Sequence, residues 1–394
     1  MKLGIYTLLG VILLFIFSCK KDLAPISGCT DLVAFNYNSI AITDDGSCSY
    51  EIINTTEGCM DSLALNFNPE ATIENESCIY FSNTPYVIQT PYGFPNMNIP
   101  SNNPMTVEGV SLGEKLFKDP ILSADNTQAC INCHQQDFSF SEPSQFSTGI
   151  DNIQGLRNAS ALINIGWNTS FNWDGSSLTL EEQAFEPVTN PIEMHNNWSN
   201  VELMLNSHVD YPSLFKQAFN IDYIDSNHIV KAIAQFERTL ISVNSKLDRY
   251  LNNEEQLTIS ELNGYAIFNT EKGDCFHCHA SQLFMDNQFH NNGLDIEPFP
   301  DLGRAKVTSN SSDNGKFRTP TLRNIEMTAP YMHDGRFATL EEVVEHYDSG
   351  GKYSTTVDPL MKKLGVGLQL TNQEKKDLVS YLKTLTDNEF ITID

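Results

Sequence analysis

Apolar residues recur at helical spacing in several stretches of the chain. Val110, Leu112, Leu116 and Phe117 mark one face of a helix, because residues three and four apart stack on the same side of a 3.6-residue turn. Leu262, Tyr265, Ile267 and Phe268 do the same, and Thr258 with Glu261 has the spacing of a capping box at the start of that helix. Thr371 with Glu374 opens another, carried by Leu378, Leu382 and Leu385. A long amphipathic stretch runs from Ile229 to Leu251. No run alternates apolar and polar residues with the period of two that a half-buried strand needs. The pattern predicts a mainly α catalytic region with long loops.

The front of the chain follows a different rule. Lys2, an apolar run from Leu8 to Phe17, Ser18 and Cys19 have the form of a secretory signal. Cys19 after Ser18 resembles a lipobox, so residues 1–18 read as a lipoprotein signal peptide and Cys19 as a lipidated first residue in contact with a membrane. The alternative is a transmembrane anchor, but the run is shorter than the ~20 apolar residues a spanning helix needs. Two segments, 28–50 and 58–80, then repeat with a period of 30 residues. Each is too small to bury a core and invites a disulfide staple, Cys29 with Cys48 and Cys59 with Cys78. Asn36, Asp44 and Asp45 are candidates for calcium or for a solvated turn. Residues 19–80 are read as a spacer, and 81–106, rich in Pro and Asn, as an extended arm.

Charge narrows the partners. Asp and Glu number 50 against 24 Lys and Arg, a formal charge of −26. Nucleic acid is excluded, since phosphate contacts need Lys and Arg, and a basic protein partner is favoured. The remaining cysteines carry the chemistry: Cys130-Ile131-Asn132-Cys133-His134 and Cys275-Phe276-His277-Cys278-His279. Cys-x-x-Cys-His reads as covalent attachment of a c-type haem. Thiols one turn apart reach the two vinyl groups of one porphyrin, and the following His ligates the iron. Zinc or structural disulfides are the alternatives.

The chain from about 104 to 387 resembles the bacterial di-haem cytochrome c peroxidase family, which includes the MauG-like enzymes. The resemblance rests on Leu112-Gly113-Glu114-Lys115-Leu116-Phe117, Arg157-Asn158, Trp173-Asp174-Gly175, Leu180 to Ala184, Asn190 to Met194, Phe317 to Asn324 and Ala329 to Gly335, in that order. It implies two packed cytochrome c-like domains: 107–250, whose haem at His134 meets hydrogen peroxide, and 251–394, whose haem at His279 receives electrons. It implies a small c-type cytochrome or cupredoxin as donor, with a homodimer as one expected assembly. Glu193 matches the family's acid–base position, Gln183 and Pro187 line the same pocket, and Trp173 matches the tryptophan between the haems. Asn158, with the carbonyls of Thr328 and Pro330, matches an interdomain calcium site.

Two positions depart from the pattern. Many members block the peroxide haem with a distal His, but the matching residue here is Ile150, and no His occurs between 134 and 195. The iron above His134 is therefore expected to be open, with His195 the only nearby substitute ligand. Peroxidases of the well-known kind place Met on the far side of the second haem. Here the position falls on Tyr347, as in MauG-like enzymes, with Met332 and His346 as competitors and His333 as a polar contact. The expected function is peroxide reduction to water in the cell envelope. Oxidation of a partner protein's side chain, plain electron transfer, and adhesion through the front repeats are the competing readings.

Overall fold

The structure, a computed structural model, describes residues 24–50, 55–81 and 84–392. The signal peptide and Cys19 lie outside the described residues. The chain divides into two units, Met1–Met60 with Asn68–Ser77, and Asp61–Phe67 with Cys78–Asp394.

In the smaller unit Cys29 and Cys48 form a disulfide with their Cα atoms 4.7 Å apart. Cys59 of this unit is disulfide-bonded, as is Cys78 of the larger one. A two-residue parallel pairing, Glu57–Gly58 (β1) with Ile73–Glu74 (β2), belongs to the second repeat. Asn36 donates to the Ser47 carbonyl at 2.7 Å and accepts from the Ser49 amide at 2.8 Å. Asp44 and Asp45 each accept from the amide two residues on, at 2.8 and 3.0 Å. These side chains make the turns of the repeat, as Asx residues do.

The larger unit holds the helices: α1 Val107–Lys118, α2 Cys130–Cys133, α3 Leu180–Thr189, α4 Trp198–Ser207, α5 Tyr211–Phe219 and α6 Ser226–Glu237. After them come α7 Lys246–Leu251, α8 Ile259–Phe268, α9 Ala305–Thr308, α10 Leu340–Asp348, α11 Asn372–Lys383 and α12 Asn388–Ile391. The only strands of this unit among the described residues are β3 Phe289–His290 and β4 Phe317–Arg318, paired antiparallel. No described helix is long and apolar enough to cross a membrane.

Two helix pairs organise two cores. Helix α1, capped by the Thr106 hydroxyl on the Gly109 amide, buries Leu112, Gly113, Leu116 and Phe117 against α6. A Cβ on Gly113 would stand 1.9 Å from the Ala232 carbonyl oxygen, so the close crossing requires glycine there. The second core repeats the device. Helix α8 crosses α11, and a Cβ on Gly264 would stand 2.0 Å from the Asp377 carbonyl oxygen. Thr258 with Glu261 and Thr371 with Glu374 form the capping boxes that open α8 and α11. Phe390 of α12, late in the chain, returns to the first core and packs on Phe140 at 5.6 Å between ring centroids.

The amphipathic stretch from Ile229 to Leu251 is not continuous: α6 ends at Glu237 and α7 begins at Lys246. Side chains take the backbone partners that a continuing helix would use. Ser242 exchanges two hydrogen bonds with the Asn164 amide side chain, at 2.9 and 3.0 Å. Asp387 accepts from the amides of Val243 and Asn244, both at 2.9 Å. The arm before α1 is extended but packed. The Val107 amide bonds the Thr84 carbonyl at 2.9 Å, and the Trp167 indole N–H donates to Pro95 at 2.7 Å.

Candidate haem sites

The first motif forms the short helix α2, opened by the Asn132 side chain accepting from the Ala129 amide at 2.7 Å. His134 follows, its Nδ1 3.0 Å from the Phe140 carbonyl. Ser139 and Phe140 hold left-handed backbone, φ 55° and 57°, an uncommon conformation for such residues. It turns that carbonyl toward the imidazole. The second motif repeats this arrangement. His279 Nδ1 lies 2.8 Å from the Phe284 carbonyl, and Phe284 has φ 51°. Burial holds both imidazoles below their usual pKa, so they are neutral at pH 7. With Nδ1–H given to a carbonyl, Nε2 presents its lone pair, the state in which histidine binds iron.

The four motif cysteines are free thiols. Burial pushes the Cys130 and Cys275 thiols up to about 12, the reverse of the electropositive setting a thiolate ligand has. The two pairs do not gather into one cluster among the described residues. The donor sets suit thioether attachment with a neutral axial His, and do not suit zinc held by four thiolates.

Around His134 a cavity of about 60 Å³ is lined by Cys130, Cys133, Gln183, Pro187, Glu193 and Glu237. Helix α3 carries Gln183, and Pro187 lies inside it near its end. The chain then folds back, the Met194 amide bonding the Pro187 carbonyl at 3.2 Å, and this brings Glu193 over the cavity. The Glu193 carboxylate accepts from Asn190 Nδ2 at 2.7 Å. Burial raises its pKa above the usual carboxylate range. The Ile150 amide donates to the Glu193 carbonyl at 3.0 Å, so the loop bearing Ile150 lies against the Glu193 segment. His195 is not among the lining residues; half-exposed, it pairs with Asp151 at 2.5 Å.

Around His279 a larger cavity of about 250 Å³ is lined by residues of both haem-motif regions, among them Asn158, Trp173, Thr328, Pro330, Met332 and Tyr347. Trp173 donates its indole N–H to the Asn158 carbonyl at 2.8 Å. Asn158 gives its side-chain amide to the carbonyls of Ser144 and Gln145, at 3.0 and 3.3 Å. Asn292 Nδ2 lies 3.2 Å from the Tyr347 hydroxyl and 3.6 Å from the Met332 sulfur. Both candidate ligands therefore converge on one amide. Burial raises the Tyr347 phenol to about 12. His346 gives its Nε2 to the Asn292 carbonyl at 3.0 Å and does not line the cavity. His333 does, stacked on Phe317.

Two site residues carry no motif that single-sequence reading could use. Asn292 sits in a loop. Glu237, the last residue of α6, reads as one more polar position in an amphipathic helix, yet it is 4 % exposed with Oε2 unpartnered.

Residues 107–256 match the sequence profile of a family described as di-haem cytochrome c peroxidase. The methylamine utilization protein MauG of Methylorubrum extorquens is 36 % identical over 290 residues, which span 73 % of this chain and 80 % of that protein. Cytochrome c551 peroxidase of Nitrosomonas europaea is 34 % identical over 301 residues, 75 % of this chain and 85 % of that protein. A solved MauG-like protein associated with microbial copper homeostasis superposes with a TM-score of 0.74 at 35 % identity, covering 78 % of this chain and 97 % of that one.

Proposed function

This chain belongs to the di-haem cytochrome c peroxidase family, and from that premise we propose that it reduces hydrogen peroxide to water at the His134 site. The observation that carries this reading is a carboxyl, Glu193, and an amide, Gln183, lining one cavity with His134. Cys130, Cys133 and His134 would hold one c-type haem, and Cys275, Cys278 and His279 the other. The bound haems supply the redox chemistry, and two electrons and two protons convert one peroxide to two waters.

The protein's own part is to place protons. Cleaving O–O needs a proton moved from the near oxygen to the far one, because water leaves more readily than hydroxide. Glu193 takes that proton and returns it, a general acid–base role. Burial raises its pKa above that of an ordinary carboxylate, which favours holding the proton it takes. Gln183 orients the peroxide. With Ile150 where many relatives have His, and His195 paired to Asp151, the far side of this site is open to substrate without prior reduction. Residues 107–250 form the peroxide domain and 251–394 the electron-receiving domain, with α12 of the latter packed on the first core. A small cytochrome c or cupredoxin supplies electrons; Tyr347, or alternatively Met332, would ligate the second haem's iron, and Asn158, Thr328 and Pro330 would hold calcium. The enzyme works in the cell envelope, lipid-anchored through Cys19, with the repeats as spacer.

Glu193→Gln tests the reading. Both haems should stay bound with unchanged spectra while turnover falls about 100-fold or more, the usual share of a positioned acid–base group. The acid limb of the parent kcat/KM profile should lie above the ordinary carboxylate range, since activity is lost as pH falls through the raised pKa. The variant should lack that limb. Turnover equal to the parent's removes Glu193 from the mechanism.

A second reading, peroxide-driven oxidation of a partner protein's side chain, is favoured by the phenol of Tyr347 beside Asn292 in the cavity that also holds Trp173. Tyrosinate stabilises ferric iron relative to Met. Tyr347→Phe should change the second haem's spectrum and raise its potential. A spectrum identical to the parent's passes the ligand role to Met332.

A further inference from the structure

Three arginines are buried in the described chain. Arg238 pairs with Glu181 at 2.9 Å and Arg323 with Asp248 at 2.8 Å. Arg318, 5 % exposed, has no carboxylate partner among the described residues. Its contacts are two long ones to carbonyls, Nε to Asn172 at 3.5 Å and Nη1 to Thr319 at 3.4 Å. Burial alone pulls its guanidinium down to about 10, with no opposite charge offsetting it. An isolated buried charge is strongly disfavoured even after relaxation, so a fold that keeps one has an anion to meet it.

The place of Arg318 says which anion. Its backbone is held by β4 and by the Trp173 carbonyl, 2.8 Å from its amide, and it lines the cavity with Cys275, Cys278 and His279. His333, 4 % exposed, lines the same cavity with its Nδ1 unpartnered. The only ionised groups at the rim of a c-type haem are its two propionates. We propose that Arg318 is the counter-ion of a propionate of the haem attached at Cys275 and Cys278, with His333 as a second polar partner, and that its charge raises that haem's reduction potential. This rests on the reading that the second motif holds a haem.

The test uses the full protein with both haems attached. Intact mass first counts the haems; a parent without the second one overturns the cofactor reading itself. With two haems present, the potential of each is read by spectroelectrochemistry in the parent, Arg318→Gln and Arg318→Met. The expected result is a lower potential for the second haem in either neutral variant, with the first unchanged. A second-haem potential equal to the parent's overturns the proposal. If neither neutral variant keeps its second haem, Arg318→Lys decides. Restored loading supports the charge, and continued loss overturns it in favour of packing. A parent potential that follows added inorganic phosphate identifies a free anion at Arg318, and also overturns it.

Discussion

At the scale of single residues, the chemistry depends on groups whose protonation is set by burial. Glu237 is the clearest case. Burial raises its carboxyl from 4.5 to about 8, with the Arg238 charge opposing and Glu181 adding to the rise. Between those values the folded protein holds a proton that the unfolded chain releases. Stability therefore declines as pH rises through that window, by up to about 1.4 kcal/mol per pH unit. Glu237→Gln should remove the slope. Denaturant melts of the two proteins should agree at about pH 5 and diverge at about pH 8, with the variant the more stable; parallel curves would show Glu237 ionised and compensated. The attaching residues were legible because Cys-x-x-Cys-His has rigid spacing. Glu193 and Tyr347 were legible only through resemblance, since a lone carboxylate or phenol has no local signature. Glu237, Asn292 and Arg318 were not, because their meaning lies in partners distant in sequence or missing from the protein altogether.

Helices show which parts of a pattern travel from sequence to structure. Helices α8 and α11 open at the capping boxes read for them and α1 stands where its apolar spacing placed it, although α11 ends at Lys383, short of Leu385. These signals are local, and each helix meets one partner face. The stretch from Ile229 to Leu251 broke because Asn164 and Asp387, far along the chain, take its backbone amides. Periodicity cannot report a competitor of that kind. The crossing glycines belong to the same scale. Gly113→Ala and Gly264→Ala each push a methyl group into the backbone of the facing helix. Each should cost about 1–3 kcal/mol, the usual penalty of overpacking, and lower the melting temperature. Alanine tolerated without loss would mean the helices can separate freely.

For the molecule as a whole, the formal charge of −26 bears on how electrons arrive. A donor with a basic face should be drawn in by the summed field, and the attraction should weaken as salt shortens its range. The second-order rate of reduction by a basic cytochrome should fall steeply with ionic strength, while reduction by a neutral small molecule should not. A flat response to salt would place the docking face away from the acidic surface. The cavity around His279, lined from both haem-motif regions, together with the packed arm, makes these regions one working body.

The return of α12 has a consequence for how the protein is made. Phe390 covers Phe140, whose carbonyl holds His134. A ribosome delivers residue 140 about 250 residues before residue 390. During that interval the first core lacks its cover beside the first Cys-x-x-Cys-His segment, and the second such segment is delivered before the cover arrives. The loop that positions His134 thus stays uncovered on its Phe140 side until residue 390 is delivered. The last turn of helix then closes the earlier site.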